Sequence, residues 1–493
     1  MKGLDDFVHR VISALKVINI KERQRQRLST VVGGAKAIIA VGIAVVFLFL
    51  FVTCNIDSPY TVLLTEKVNS DLQFEDEIEG ARGILDESFG GDGVVTYDGD
   101  GSSVCVNGSQ QLLVTGTIYN GSDYDMSIWS YLENGSLDES FGYGGNVTHH
   151  NAASGNGSDS GASICLDSNG RILVTGNSFN GIDKDMVLWR YLRNGILDTE
   201  FGNSGVVTHH NAAGGGENDY GRSVCIDDSG RILVAGYSDN VSNEDMVLWR
   251  YLENGSLDVS FDGDGFVTHD NAAGGGSSDE GQSVCVDGSG RVLVAGYSYN
   301  DNDRDMTLWR YLEDGSLDTS FDGDGVVTHH NAAGGDGWDE GNSVCVDESG
   351  RILVAGYSNN VSNEDMVLWR YLEDGSLDVS FDGDGVVTHH NAAGGDRWDE
   401  GESVCVDGSG RFIVTGFSYN DGFYPNMALW CYLGSGILDS SFGDNGIVTY
   451  NNSAGGSGFG AGKSVCVDGS GRIIVAGLID NGSDYYMALW RYK

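Results

Sequence analysis

From residue 83 onward, short apolar runs alternate with breaks rich in Gly, Asp and Asn, the pattern of many short strands joined by tight turns. Residues 281 to 340 show one full cycle. Ser283-Val-Cys-Val-Asp287 predicts a short strand, A, and Gly288-Ser-Gly290 a turn that tolerates positive φ. Arg291-Val-Leu-Val-Ala-Gly296 predicts strand B, apolar enough to be buried on both faces. After the polar turn Asn300 to Asp305, Asp305-Met-Thr-Leu-Trp-Arg-Tyr-Leu312 predicts strand C. The link Glu313 to Phe321 carries two apolar anchors, Leu317 and Phe321. Beyond the Asp322-Gly-Asp-Gly325 turn, Val326-Val-Thr-His-His330 predicts strand D. A longer loop, Asn331 to Asn342, leads to the next strand A at Ser343.

The cycle recurs every sixty residues. Cys105, Cys165, Cys225, Cys285, Cys345, Cys405 and, one residue late, Cys466 keep the beat, as do Trp129, Trp189, Trp249, Trp309, Trp369, Trp430 and Trp490. Each unit has apolar residues on both faces and needs a neighbour on each side, so seven units predict an all-β, seven-bladed β-propeller over residues 83–493. The array begins on a C–D link and a strand D (Gly83 to Phe89, then Val94-Val-Thr96) and stops just after a strand C (Leu489 to Lys493). The N-terminal strand is therefore expected to join the last blade, closing the ring and removing an exposed edge.

The segments GRILVAG, DMxLWRYLxDGSLDxSFDGDGVVT and SVCVD resemble the bacterial delta-60-repeat family of propellers, with the GSLDxSF link the most distinctive part. The resemblance covers residues 83–493. It implies the fold and a tendency to be exported or surface-associated, and it carries no shared catalytic residues.

Ahead of the repeats, residues 37–53 (AIIAVGIAVVFLFLFVT) form an uncharged apolar run of about the minimum spanning length. Lys16, Lys21, Arg23, Arg25, Arg27 and Lys36 precede it, and the chain soon turns acidic after it, so the N-terminus is expected in the cytoplasm and the repeats outside. This divides the chain into a basic cytoplasmic segment with an amphipathic helix (1–35), a transmembrane signal anchor (36–54), an acidic linker (55–82) and the propeller (83–493). Cleavage with lipidation at Cys54 is the alternative, although Phe51-Val52-Thr53-Cys54 departs from the bacterial lipobox.

Composition sharpens the picture. The formal net charge is -44, and the first 36 residues carry eight Lys/Arg against three Asp/Glu. The remainder therefore repels nucleic acid and attracts cations or basic partners. The repeat cysteines occupy one equivalent point in each unit and are held a blade apart, too far for disulfides; they read as small buried apolar side chains.

Candidate chemistry is sparse. Histidine pairs end strand D (His149-His150, His209-His210, His329-His330, His389-His390). Adjacent strand residues point to opposite faces, so a pair cannot easily share one metal. The turns Asp262/Asp264, Asp322/Asp324 and Asp382/Asp384 resemble fragments of calcium loops without the full ligand pattern, and weak calcium binding would need help from Asp258, Asp318 and Asp378. No other cofactor is expected. The D-to-A loops vary from unit to unit and place Trp338 and Trp398 beside Asp339, Glu340, Asp399 and Glu400, an expected acidic, aromatic rim suited to sugars or basic peptides. Tyr424-Pro425, in the B-to-C loop with an insertion, is a second break in symmetry.

With no Ser/His/Asp, Cys/His or phosphate-loop constellation in sight, the chain reads as an anchored extracytoplasmic scaffold that binds a protein or glycan, and not as an enzyme. A polysaccharide-acting hydrolase or lyase, and a passive surface protein without a discrete ligand, are the alternatives. Unlike polar groups clustered at the central channel mouth would favour the enzyme.

Overall fold

The computed structural model describes residues 82–493 apart from 423, 452–457 and 481–483. The expected basic segment, the anchor at 36–54, Cys54 and nearly all of the linker lie outside the described residues. Among the described residues every regular element is a strand, and no helix is long and apolar enough to cross a membrane.

Strands β1 to β28 pair into seven four-stranded antiparallel sheets, one per blade. Blade 4 is representative, with β14 (Asp279–Val286), β15 (Val292–Tyr299), β16 (Arg304–Tyr311) and β17 (Val326–His329) in that order. These are strands A to D of the repeat. The last blade consists of β26 (Gly460–Val467), β27 (Ile473–Asp480) and β28 (Tyr485–Tyr492), and its fourth strand is β1 (Val94–Asp98), which pairs with β28 through Val94↔Trp490 to Asp98↔Tyr486.

Blades pack face to face, and each apolar cluster draws on two of them. Leu293, Met306, Leu308 and Phe321 of blade 4, for example, meet Ile352, Val354, Trp369 and Tyr371 of blade 5. The seven repeat tryptophans are completely buried in these seams, which is why their spacing shows through the sequence. The last blade meets the first in the same way, with Ile474, Met487 and Leu489 against Val104, Val114 and Trp129.

Strand A of each blade lies against strand A of the next at the hub. A serine there accepts a hydrogen bond from the following blade: Val284 N–H to Ser223 Oγ at 3.2 Å, Val344 to Ser283 at 3.1 Å, Val404 to Ser343 at 3.2 Å and Val104 to Ser464 at 3.2 Å. The hub cysteines are free. Burial pushes the Cys105, Cys225 and Cys345 thiols up to about 12, so they are unreactive packing groups.

On the opposite edge from the D-to-A loops, an arginine of strand C is buried against an aspartate of the link. Arg250 Nε lies 2.8 Å from Asp258, and Arg310 Nη2 and Arg370 Nη2 lie 2.8 Å from Asp318 and Asp378. Two blades lack this arginine and compensate. Gln111 reaches Asp138 at 2.6 Å beside Ser130, and Arg411 reaches Asp439 at 3.1 Å beside Cys431.

Candidate functional site

Strand A is longer than the apolar pattern implies, and the extension builds the site. In blade 5 it begins at Asp339 rather than Ser343, and it carries a bulge between Gly341 and Ser343. The two flanking glycines make the bulge feasible. A Cβ on Gly356 would lie 1.8 Å from the Glu340 carbonyl oxygen, and one on Gly341 would lie 2.9 Å from Val354. A bulge turns its extra residue out of the ladder. Here that residue differs in every blade: Ser102, Ala162, Arg222, Gln282, Asn342, Glu402 and Lys463, always between a constant Gly and a constant Ser. Two residues earlier stand Asp100, Ser160, Tyr220, Glu280, Glu340, Glu400 and Ala461. The hub edge that bears the D-to-A loops therefore collects unlike side chains on an otherwise repeated frame.

From blade 3 to blade 7 these side chains form a continuous arc. Tyr220 and Tyr237 stack with ring centroids 4.7 Å apart, and Arg222 lies 5.2 Å from the Tyr237 ring and 3.9 Å from Glu280. The Tyr297 hydroxyl donates to Glu280. Arg304, at the start of strand C in blade 4, sits 4.3 Å from the Tyr297 ring and 4.7 Å from the Trp338 ring while it ion-pairs with Glu340. Burial works against the Arg304 charge, but Glu340 and Tyr297 outweigh it and raise its pKa. Tyr357 lies beside Glu340, and both are almost wholly buried.

The arc ends on a carboxylate cluster. Glu400 of blade 6 lies beside Glu364 of blade 5, and Glu402 pairs with Lys463 of the last blade. Burial, then the Glu402 charge and the neighbouring Glu364 hold the Glu400 carboxyl well above the usual carboxylate range. Burial also raises Glu364. Two neighbouring carboxyls can give a proton to a leaving oxygen and take one from water.

The rim residues expected from the loops separate into two groups. Trp338 and Trp398 are exposed, at 43% and 48%; Trp398 meets Tyr419 edge-on at 5.6 Å. Glu340 and Glu400 belong to the arc, on strand A rather than on a loop. Asp339 and Asp399 correct the expectation, since both are fully buried. Their carboxylates accept N–H bonds from Asn331 and Ala332, and from Asn391 and Ala392, pinning each D-to-A loop to its own blade. Burial pushes both up to about 6.

The Asp-Gly-Asp-Gly turns lie at the other edge. Asp262, Asp322 and Asp382 adopt positive φ of 50°, 48° and 49°, and the Asp322 N–H donates to Asp374 O of the next blade at 2.8 Å. Asp264, Asp324 and Asp384 accept from the N–H two residues on, at 3.3, 3.0 and 3.0 Å. Asp258, Asp318 and Asp378, expected to assist a calcium ion, are instead engaged with the buried arginines. The histidine pairs split as expected for a strand. His209 and His389 pack on Trp249 and Trp430, and burial lowers both to about 4. Tyr424 is 44% exposed.

Three segments, 228–261, 288–321 and 348–381, match the family described as a domain of unknown function (DUF5122) beta-propeller. No curated protein matches the chain. Among solved structures, it is similar to an ulvan lyase of family PL25 bound to -[GlcA(1-4)Rha3S]-, at 12% identity over 80% of this chain and 94% of that one, TM-score 0.45. The polysaccharide lyase Uly1 shows 11% identity over 80% and 89%, TM-score 0.42, and Sqt1 from Chaetomium thermophilum 10% over 80% and 96%, TM-score 0.42. These likenesses are of fold. The expectation that the chain is not an enzyme is corrected by the hub itself. The unlike polar groups it gathers, only Glu340 and Glu400 of which the sequence reading singled out, remove the ground on which that expectation rested.

Proposed function

We propose that the protein is a polysaccharide-acting propeller whose site is the hub arc, with the Glu364–Glu400 pair as its proton donor and acceptor. The observation that carries this reading is the Glu400 carboxyl set beside that of Glu364, its pKa raised by burial, where the repeat symmetry breaks. Trp338, Trp398 and Tyr419 provide aromatic faces for sugar rings, and Arg304 and Lys463 provide donors. The formal net charge of -44 favours a neutral or amine-bearing glycan over a polyuronate. In this reading the apolar run 37–53 holds the protein in the membrane with its propeller outside, and β1 on β28 locks the ring.

The test uses the full chain in detergent micelles and a panel of neutral, amino-sugar and uronate polysaccharides. Hydrolysis and elimination both release reducing ends, and elimination alone also yields an ultraviolet-absorbing unsaturated uronate. Reducing ends that vanish in Glu400→Gln while binding persists support the reading. Binding without turnover leaves a glycan receptor, and neither binding nor turnover on any polymer overturns the proposal.

A further inference from the structure

Away from the hub, the B-to-C turn and the end of strand D bring two oxygen donors and an imidazole together at equivalent places. In blade 1 these are Asp123, Asp125 and His150, and in blade 2 Asp183, Asp185 and His210; within each set the ligand atoms all lie within 4.8 Å of one another. His150 Nδ1 is 3.0 Å from Asp125, and His210 Nδ1 is 3.0 Å from Asp185 and 4.0 Å from Asp183. Asp125 and Asp185 are buried and fixed, while both imidazoles border solvent, so the open side of each cluster faces water.

An asparagine amide orients each pair of carboxylates from behind. Asn120 donates to Asp123 at 2.5 Å and to Asp125 at 3.1 Å, and Asn180 donates to Asp183 and, at 2.6 Å, to Asp185. Each carboxylate keeps acceptor capacity for an ion.

Blade 5, where an asparagine replaces the first aspartate, shows the contrast. There Asn363 and Asp365 occupy the same positions, Asp365 pairing with Ser358 as Asp185 pairs with Ser178. Both are more than nine-tenths buried, and each has a buried Oδ1 without a hydrogen-bond partner. In blades 1 and 2 the equivalent carboxylates, Asp125 and Asp185, are instead engaged by an asparagine amide and by the imidazole that completes each cluster.

We propose that the entrance to strand C in blades 1 and 2 is a divalent transition-metal site, with Asp123, Asp125 and His150 and with Asp183, Asp185 and His210 as ligands. An imidazole with two carboxylates suits zinc or manganese better than calcium, which takes six to eight oxygens. Water fills the remaining positions. Blade 4 carries the same residue types, Asp303, Asp305 and His330, but the His330 Nδ1 is taken by the Asn331 amide at 2.9 Å. It serves as an internal control.

The test titrates metal-stripped full chain in detergent with zinc chloride and manganese chloride, by calorimetry and by metal analysis after desalting. The expected result is one ion for each of the two clusters, both lost in His150→Ala/His210→Ala and both kept in His330→Ala. Thermal unfolding shows whether the double variant is folded; if it is not, Asn120→Ala/Asn180→Ala should weaken metal affinity at least tenfold. No retained metal in the unsubstituted protein, or unchanged stoichiometry in the folded double variant, overturns the proposal.

Discussion

Glu364 and Glu400 set their carboxyls side by side across the seam between blades 5 and 6, at the rim of the hub. Below the ordinary carboxylate range Glu400 is protonated whether the chain is folded or not. As pH rises above that range, the unfolded chain releases the proton while the folded protein keeps it, so stability falls until the raised folded pKa is passed. Glu400→Gln keeps the shape and removes the titration. The variant should match the parent in acid and melt higher at neutral pH, read as melting temperature against pH. Superimposable curves would show that the carboxyl is not held protonated.

Trp338 and Trp398 are exposed, Trp338 over Arg304, which Glu340 also holds, and Trp398 edge-on to Tyr419. Trp338→Ala removes a cation–π contact with Arg304 at 4.7 Å, worth about 0.5–1 kcal/mol at an exposed site. Each substitution should therefore cost about 1 kcal/mol of stability or less, yet weaken binding of a glycan at least tenfold. Calorimetry beside denaturant unfolding separates the two effects. A loss of stability matching the loss of binding would assign the tryptophans to packing.

Arg310 and Asp318 form a buried pair at 2.8 Å that recurs in neighbouring blades. Arg310→Met leaves Asp318 with Ser320 and with Arg291, 3.9 Å away, which can take it over as Arg411 takes Asp439. The substitution should cost about 1–3 kcal/mol, measured by denaturant unfolding. Arg310→Met/Asp318→Leu removes both charges and should recover most of that loss. A blade that already lacks the arginine shows the logic, since Arg411 covers Asp439 where Cys431 replaces it.

The frame was legible because it rests on residues that every blade repeats. Trp309 and Phe321 are buried in each seam, so their equivalents cannot vary. The site was not legible for the same reason in reverse. Asp339 and Glu340 looked like loop residues because a polar pair precedes the apolar run, but the bulge beside Gly341 lets strand A continue through them. Polarity then separates two opposite fates, Asp339 turned inward to hold its loop and Glu340 turned along the hub to meet Arg304. A usable signal existed in the variable residue between the constant Gly and Ser, where Arg222, Glu402 and Lys463 stand at one position of the repeat. Arg304 carried no such mark, because its partners Trp338 and Glu340 belong to the next blade and only the fold brings them near.

Residues 82–98 give the last prediction. They supply β1 to the edge of β28, and Asp86 to the buried Arg491 at 2.8 Å. Gly83 N–H also donates to Lys493 O at 2.6 Å. Deleting 82–98 opens a strand edge and leaves a buried guanidinium without its carboxylate, two changes that each destabilise and together invite edge-to-edge association. The shortened propeller should melt well below the parent and run as oligomers on size exclusion. Moving the same segment to the other terminus, after Lys493 through a short Gly-containing link like those in other blades, restores strand and carboxylate without restoring the original connectivity. That permutant should regain the parental melting temperature and size. A deletion that stays monomeric and equally stable would show that the ring does not depend on β1.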